Sequence, residues 1–219
     1  MVRTVKRGDA RTELLDAGVA VIRERGLAAT SVDDLCRAAG VTKGAFFHHF
    51  ASKDAFAVAV AEHWSATTGE LFRHAAYHDA PDPLDRVLGY VDLRDQLIDG
   101  RAAEYSCAAG TMVQEAHATN PALRAACAAA IFDHAATLEA DIAAALARAA
   151  DPAGADAAGL ARFTQAVLQG AFILGKAGDD PALAHEAIAY LRHTLLRTLA
   201  PPAGRPPHDQ IQPSPEEPA

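Results

Sequence analysis

The 219-residue sequence contains ten histidines, 28 acidic residues and three cysteines, the residue types that most often catalyse reactions or bind metals. Their spacing matches none of the patterns that such chemistry needs, because there is no HExxH pair, no glycine-rich phosphate loop and no nucleophile elbow. Cys36, Cys107 and Cys127 are odd in number and widely spaced, which fits neither a disulfide framework nor a zinc cluster. The sequence therefore predicts reduced thiols and no catalytic residue, metal or cofactor, with an enzyme on an all-α scaffold as an alternative.

The most informative stretch is residues 30–56, TSVDDLCRAAGVTKGAFFHHFASKDAF. Either Thr30 or Ser31 can accept a hydrogen bond from the free N–H groups of a following helix, whose first turn is acidic. Gly40 can adopt a left-handed conformation that ends this helix, and Thr42 can then cap a second one. Two short helices joined by a tight glycine turn suit the major groove of DNA.

The second of these helices has an inner and an outer side. Phe46 and Phe50 are four residues apart and are expected to face inward. Lys43, Phe47 and His48 are then free to face outward.

The string AGVTKGAFFHHFASKDAF closely resembles the TetR family of bacterial transcriptional repressors. In that family the second helix enters the major groove, and the run ending in HF, with the Ser/Lys helix start after it, binds phosphates. The resemblance implies a double-stranded DNA operator as partner, with contacts from Thr30, Thr42, Lys43, Gly44, His48, His49 and Lys53. Where the family usually has tyrosine this chain has Phe47, which lacks the phosphate-binding hydroxyl but can pack against a sugar or a thymine methyl.

The net charge of −8 is unevenly distributed along the chain. Residues 1–53 carry nine Lys/Arg and six Asp/Glu, whereas residues 54–219 carry eleven and twenty-two. Screening acts over about 10 Å at ordinary salt, so the local field of the basic N-terminal part decides whether DNA is attracted.

Apolar periodicity and cap residues predict an all-α fold of about nine helices with no strands. The expected helices span about 9–25, 32–39, 43–50, 52–78, 83–99, 103–117, 121–150, 156–176 and 181–199. The predicted organisation is a flexible basic arm (1–8), a helix-turn-helix DNA-binding domain (9–53, motif 31–50), a helical effector-binding and dimerisation domain (54–200) and a disordered proline-rich tail (201–219).

No apolar run reaches the 18 residues that a membrane span needs, and the first residues lack the apolar middle of a signal peptide. The sequence therefore predicts a cytoplasmic protein with no membrane partner.

The resemblance also implies a homodimer, because proteins of this family pair their last two long helices across a twofold axis. Those helices correspond to residues 156–199, which are strongly apolar. Burial within one protomer is the alternative, but two successive apolar helices are more easily covered by an interface. The candidate interface residues are Phe163, Val167, Leu168, Leu191 and Leu195.

Proteins of this family bind small effectors in the helical body, and aromatic and polar residues on the central helices are candidates for lining such a pocket. They are Trp64, Phe72, Tyr90, Tyr105, Cys107, Met112, His117, Phe132 and Phe172. Cys107 lies in YSCAAGTMVQEAHATNPALR, which looks like a TetR subgroup with Gly-Cys at this helix start, although Ser106 replaces the glycine here.

Some members of that subgroup respond to electrophiles or small unsaturated acids. A thiol near a helix N-terminus is more reactive because the dipole favours its thiolate, whereas simple packing as a small hydrophobic residue is the alternative. The predicted function is a repressor released from a palindromic operator by an unknown small-molecule effector. A non-regulatory helical interaction protein remains a further alternative.

Overall fold

The computed structural model describes residues 9–150, 152 and 154–202, and the regular secondary structure of these residues is entirely helical. The predicted all-α fold is confirmed. The helices are α1 Asp9–Arg25, α2 Val32–Ala39, α3 Lys43–His49, α4 Lys53–Arg73, α5 Pro83–Gln96, α6 Ala102–Tyr105, α7 Ala108–Ala116, α8 Pro121–Ala136, α9 Glu139–Leu146, α10 Ala157–Gly178 and α11 Ala182–Leu199, with a 3-10 turn at Ala76–Asp79. The predicted arm (1–8) and residues 203–219 of the predicted tail lie outside the described residues.

Two helices that the sequence predicts as continuous are each broken, so eleven α-helices replace the expected nine in the described part of the chain. The helix expected over 103–117 is interrupted where Ser106 and Cys107 adopt extended backbone angles. The alanine-rich helix expected over 121–150 is interrupted near Thr137, whose hydroxyl donates to the carbonyl of His134 at 2.7 Å. Such a local bond competes with helical backbone bonding, so high alanine propensity alone did not keep the helix continuous.

The fourth helix was also predicted to be too long, because α4 ends at Arg73 rather than near residue 78. The carbonyl of Phe72 at the helix end accepts from the backbone N–H of Ala75 at 3.3 Å and from the hydroxyl of Tyr77 at 3.3 Å, and it lies 3.0 Å from the ring Nε2 of His78. These side chains add to the backbone bonds that stabilise the end of α4 before the chain continues to α5.

Two clusters of buried side chains form the interior. The first joins α1–α4 to α7 and α8 and includes Ile22, Phe46 and Met112. The second joins α5, α9, α10 and α11 and includes Tyr90 and Leu168. Helices from both sides of the predicted domain boundary share the first cluster, so the N-terminal helices pack directly against α7 and α8.

Polar contacts also fasten the N-terminal helices to the rest of the chain. Glu115, near the end of α7, accepts a hydrogen bond from the backbone N–H of Ala28 at 2.8 Å. Lys176 on α10 donates to the carbonyl of Arg23 at 3.1 Å. The C-terminal end of α1 is therefore held by two helices of the body.

Helix α10 is the one described helix that is long and apolar enough to cross a membrane by length and composition alone. A third of its most apolar window is buried inside the protomer (33%). Core helices of water-soluble proteins pass the same test, so this observation is weak evidence for a membrane span.

Candidate DNA-binding surface and effector cavity

A capping box fixes the start of the helix-turn-helix. Ser31 Oγ accepts from the backbone N–H of Asp34 at 3.1 Å, and the Asp34 carboxylate accepts from the backbone N–H of Ser31 at 3.0 Å. Hydrogen bonds from Ser31, and then from Arg37, lower the pKa of Asp34 to about 2. Of the two residues that the sequence allowed as the cap, the structure uses Ser31.

Thr30 was predicted to contact DNA, and the structure contradicts this. Its side chain is buried (1% exposed), and its hydroxyl donates to the carbonyl of Gly26 at 2.6 Å. Thr30 therefore stabilises the α1–α2 connection from the interior, and its buried side chain is not accessible to a phosphate.

The turn between α2 and α3 sets the direction of the outer helix. Gly40 has a φ of 66°, a left-handed conformation that side-chain-bearing residues rarely adopt. Two residues later the hydroxyl of Thr42 accepts from the backbone N–H of Ala45 at 3.2 Å and caps α3.

The inner side of α3 rests on three phenylalanine rings. Phe46, Phe50 and Phe56 have ring centroids 5.0 to 5.6 Å apart, the separation that favourable tilted and edge contacts require. Gly18 lets this cluster pack directly against α1, because a Cβ at position 18 would lie only 2.5 Å from Cζ of Phe56. The inner side of α3 is therefore fixed by packing, whereas its opposite side is exposed.

That open side, called here the α3 outer face, consists of Thr42, Lys43, Gly44, Phe47 and His48, all of which are exposed. The ring of Phe47 is 50% exposed although it is a large apolar group. A Cβ added at Gly44 would find nothing closer than Thr42 Oγ1 at 3.8 Å. The glycine therefore serves no packing contact within the protomer, and the surface around it is free for close approach by another molecule.

Charged groups flank the α3 outer face. Lys43 Nζ lies 3.0 Å from a carboxylate oxygen of Asp33, with both side chains more than half exposed. Such exposed pairs contribute at most about 1 kcal/mol, so a phosphate can replace the aspartate. His49 and Lys53 are half-buried beside this face.

A cavity of about 380 Å³ lies in the body, where α1, α4, α5, α8 and α10 meet the segment around α6. It is lined by Arg23, Trp64, Thr67, Thr68, Leu71, Phe72, Arg94, Leu97, Ile98, Glu104, Tyr105, Cys107, Ala130, Ile131, His134, Gln165, Gln169 and Phe172. Its size and its mixture of aromatic walls with a few polar groups are typical of small-molecule sites.

A hydrogen-bond network holds Arg94 at one wall of this cavity. Arg94 Nε donates to the hydroxyl of Tyr90 at 3.0 Å, and Gln165 Nε2 donates to the same hydroxyl at 2.8 Å. His134 Nε2 lies 3.0 Å from that hydroxyl and 2.6 Å from an Arg94 nitrogen. Burial, with a smaller contribution from Arg94, lowers the pKa of His134 to about 3, so the imidazole is neutral and accepts hydrogen bonds. The guanidinium also lies 4.1 Å from the ring centroid of Phe72.

Arg23 brings α1 into the same cavity. Its guanidinium lies 5.0 Å from the ring centroid of Trp64, and one of its terminal nitrogens donates to the carbonyl of Glu104. Its Nε is buried and has no hydrogen-bond partner among the described residues. Burial lowers the pKa of Arg23, with smaller opposing effects from Cys107 and Glu104.

Two family models match the chain over these two regions. A model described as "Bacterial regulatory proteins, tetR family" matches residues 14–60, which include the helix-turn-helix. A second, described as "Tetracyclin repressor-like, C-terminal domain", matches residues 83–191 of the body. The chain belongs to the TetR family. This membership confirms the resemblance to the TetR family found in the sequence, whereas the subgroup with a cysteine at a helix start stays a prediction.

Individual TetR-family proteins show the same likeness. The repressor KstR2 of Rhodococcus jostii (strain RHA1) is 47% identical over 51 residues, which are 23% of this chain and 25% of that protein. The regulator AcuR of Cereibacter sphaeroides is 28% identical over 117 residues, 53% of each chain. The chain thus spans between a quarter and about half of the length of these curated relatives.

A solved structure shows the fold over almost the whole length. A TetR-family regulator from Agrobacterium tumefaciens superposes with a TM-score of 0.76 at 16% identity, covering 86% of this chain and 98% of the other. At this low identity, the likeness establishes a common fold.

The structure brings some of the predicted effector residues together and excludes others. Trp64, Phe72, Tyr105, Cys107 and Phe172 line the cavity. Tyr90 is fully buried behind the wall, where its hydroxyl orients the lining groups.

Three predicted effector residues do not line the cavity. Met112 is fully buried in the first core cluster. His117 is exposed at the end of α7. Phe132 is 57% exposed, because it lies on the side of α8 opposite Ala130 and His134, which do line the cavity.

Cys107 occupies the N-cap of α7. Its Sγ accepts from the backbone N–H of Gly110 at 3.3 Å, and its side chain lies between the cavity and a neighbouring groove of about 430 Å³. Gln169 borders both spaces, and a Cβ at Gly110 would come within 2.1 Å of its amide oxygen. The thiol is therefore half-buried beside two openings.

The sequence prediction missed the charged and amide groups of the cavity, namely Arg23, Glu104, Arg94, His134, Gln165 and Gln169. One signal was present, since Gln165 interrupts the apolar stripe of α10 formed by residues such as Ala161 and Leu168. A polar group on a buried stripe needs a partner, and here that partner is Tyr90.

Apolar side chains remain uncovered on the two last helices. Phe163, Leu174 and Tyr190 are 40%, 51% and 66% exposed. On α10 the series Phe163, Val167, Gly170 and Leu174 falls on one side, and a Cβ at Gly170 would find nothing within 4 Å. These five residues are called here the α10–α11 apolar face; Val167 among them is partly buried against the second core cluster.

Three predicted interface residues lie elsewhere. Leu168, Leu191 and Leu195 are at most 1% exposed and belong to the second core cluster. They pack α10 and α11 against the body of their own protomer, so the prediction that they form an interface is wrong. Helices α10 and α11 carry apolar residues both on the side packed in the core and on an exposed side. The sequence prediction chose interface residues from both sides.

Proposed function

We propose that this TetR-family protein is a sequence-specific DNA-binding transcriptional regulator, a repressor that leaves a palindromic operator when a small-molecule effector binds. The observation that carries this proposal is the α3 outer face: a braced helix that presents an exposed phenylalanine, a lysine, a histidine and a glycine with free space above it. As a regulator of DNA it acts in the cytoplasm.

The α3 outer face supports distinct contacts with DNA. Lys43, and Lys53 beside it, supply positive charge for phosphates. Gly44 allows the sugar-phosphate backbone or a base edge to come close, because its α-carbon carries no side chain. Phe47 is placed to pack against a thymine methyl or a sugar rather than to bond a phosphate.

A homodimer supplies the second reading helix. The α10–α11 apolar face offers exposed aromatic and aliphatic groups with Gly170 at its centre, where a helix from a second copy can approach closely. Two helix-turn-helix units related by a twofold axis contact half-sites about one DNA turn, roughly 34 Å, apart.

The position of the effector cavity supports release from DNA. Its walls include Arg23 from α1, Trp64 and Phe72 from α4, and residues of α8. An effector that fits this space in only one arrangement of α1 and α4 shifts the separation of the two α3 helices. Coupling of about 1 to 3 kcal/mol, a common range, changes operator affinity roughly 5 to 150-fold.

A gel-shift assay with DNA upstream of the protein's own gene, with and without candidate effectors, tests the proposal. Lys43→Ala and Lys53→Ala are expected to weaken binding to all DNA sequences and to make the slope of log affinity against log salt shallower by about one per contact in each half-site. Arg124→Ala, which removes an exposed charge from α8, serves as the matched control.

The outcomes distinguish the alternatives. A helical interaction protein without a regulatory role binds no DNA in this assay, whatever the salt. An unchanged slope in both lysine variants removes these side chains from the interface, even if the wild-type protein binds.

A further inference from the structure

The cavity that we propose as the effector site has a positive balance of charge among its lining residues, with two guanidinium groups and one carboxylate. Arg23 and Arg94 both line it, and neither forms an ion pair there. The carboxylate in the lining, Glu104, is exposed and accepts from the backbone N–H of Arg101 at 2.7 Å. Lys176 adds a further cation close by, where it donates to the carbonyl of Arg23.

Arg94 is already oriented for a ligand. Its Nε and one terminal nitrogen contact Tyr90 and His134, which are neutral groups that fix the guanidinium without cancelling its charge. The other terminal nitrogen has no hydrogen-bond partner among the described residues. A planar guanidinium with free N–H groups matches a carboxylate well, because the two can form parallel charge-assisted bonds.

Arg23 lacks part of its normal complement of partners. Its Nε is buried without an acceptor, and its guanidinium lies on the ring of Trp64. Burying a cation costs free energy unless an anion or an acceptor compensates it. An anionic ligand in the cavity supplies that compensation.

Apolar and aromatic side chains, among them Trp64, Phe72, Tyr105 and Phe172, form much of the remaining wall around a space of about 380 Å³, together with neutral polar groups such as Thr67 and Gln169. We propose that the cavity binds an organic acid, a small aromatic or aliphatic body bearing one carboxylate, with the carboxylate held by Arg94 and Arg23. This inference rests on the proposed function of the cavity as the effector site and names its ligand class.

Arg23 gives this ligand a direct mechanical link to the DNA-binding unit. It is the third-last residue of α1, the helix whose Gly18 receives the phenylalanine cluster beneath α3. An acid that draws Arg23 away from the Glu104 carbonyl moves the end of α1, and the movement reaches α3 through packed side chains.

Paired probes test the ligand class without DNA. Benzoate, phenylacetate and hexanoate are titrated against their primary amides, with the fluorescence of Trp64, the single tryptophan of the chain, as the signal. Calorimetry supplies a second measure of affinity. At least one acid is expected to bind saturably and about tenfold or more tightly than its amide, since the charge-assisted bonds are absent from the amide. The inference is overturned if no acid in the panel binds more tightly than its amide.

Variants then locate the carboxylate. Arg94→Gln is expected to lose the preference for acid over amide, Arg94→Lys to retain part of it, and the surface control Arg124→Gln to behave as wild type. Thermal unfolding by circular dichroism verifies that each variant is folded. An acid preference that survives in both folded Arg94 variants at the wild-type ratio contradicts the assignment of Arg94.

Arg23→Gln tests the link to DNA. With release expressed relative to the operator affinity of each ligand-free protein, this variant is expected to need about tenfold more acid than wild type. Release at wild-type acid concentrations contradicts the role of Arg23. If the protein binds no DNA at all, the proposed function fails, whereas the fluorescence titrations still decide whether the cavity takes an acid.

Discussion

Replacing Gly44 by alanine separates a role in folding from a role in DNA binding. Gly44 is the second residue of α3, and a Cβ there has no neighbour within 3.8 Å. Alanine is favoured over glycine within a helix by about 0.5 to 1 kcal/mol, and no steric penalty offsets this gain. Gly44→Ala is therefore expected to raise the free energy of unfolding by up to about 1 kcal/mol, or Tm by about 2 to 4 °C.

The same methyl group is expected to weaken operator binding. It occupies the centre of the α3 outer face, where close packing brings DNA atoms to within about 4 Å of the protein surface. Holding α3 back weakens its neighbouring contacts in both half-sites, and a loss of about 1.4 kcal/mol corresponds to tenfold in affinity. We expect at least this tenfold loss.

Urea unfolding measures the stability, and fluorescence anisotropy with labelled operator measures the affinity. Gly18→Ala is the matched control, because its Cβ would meet Phe56 Cζ at 2.5 Å and Val60 Cγ2 at 2.9 Å. That variant is expected to lose about 1 to 3 kcal/mol of stability through overpacking. A Gly44→Ala protein that is more stable yet binds operator like wild type refutes the placement of DNA against this surface.

Three further predictions concern the dimer, pH and the thiol. Leu174→Glu is expected to give folded monomers in light scattering and to abolish operator binding, because the carboxylate would be buried in the α10–α11 apolar face; a dimer that still binds operator contradicts this interface. The pKa of His134 is lowered to about 3 in the folded protein, against about 6.5 when unfolded, so its neutral form favours folding at neutral pH and this contribution is lost as the pH falls. Lowering the pH from 7.5 to 5.5 should therefore reduce the free energy of unfolding, measured with urea, by about 1.4 kcal/mol. If His134→Asn loses the same amount, the pH dependence comes from other groups. Wild type is expected to lose operator binding on mild electrophile treatment while Cys107→Ser resists; equal inactivation of both excludes the thiol as the sensor.

Leu168→Glu is a useful contrast to Leu174→Glu. Leu168 is 1% exposed within the protomer, whereas Leu174 is 51% exposed. The buried carboxylate at position 168 should therefore unfold the protein rather than dissociate it.

The helix-turn-helix was predictable because its determinants are local. The cap at Thr42, the glycine turn at Gly40 and the i, i+4 pair Phe46 and Phe50 lie within eleven residues. Only the choice between Thr30 and Ser31 was open in the sequence, since it depends on which hydroxyl packing buries.

The cavity was only partly predictable, because helices distant in the sequence build it. Arg23 and Arg94 are 71 positions apart, and nothing in the pattern of either helix indicates that they face one space. Five of the nine candidates chosen on the central helices line the cavity, but the same choice included Met112 and Phe132, which lie elsewhere. Helical periodicity shows that a residue lies on the apolar side of its helix. It does not show which neighbouring helix covers that side.

The proposed dimer interface shows the same limit. Both Leu168 and Leu174 continue apolar stripes of α10, and only the packed protomer shows that Leu168 is buried in the second core cluster. Side chains left uncovered after folding are the relevant signal for an interface, and a sequence does not display them directly.

The central claim is sequence-specific DNA binding, and selection from a random double-stranded DNA library by the purified protein tests it most directly. Repeated rounds of binding and sequencing are expected to enrich an inverted repeat whose half-sites lie about one helical turn apart. Phe47→Ala should enrich the same repeat more weakly if Phe47 packs against a thymine methyl. A library that remains random after selection with wild-type protein would contradict the claim.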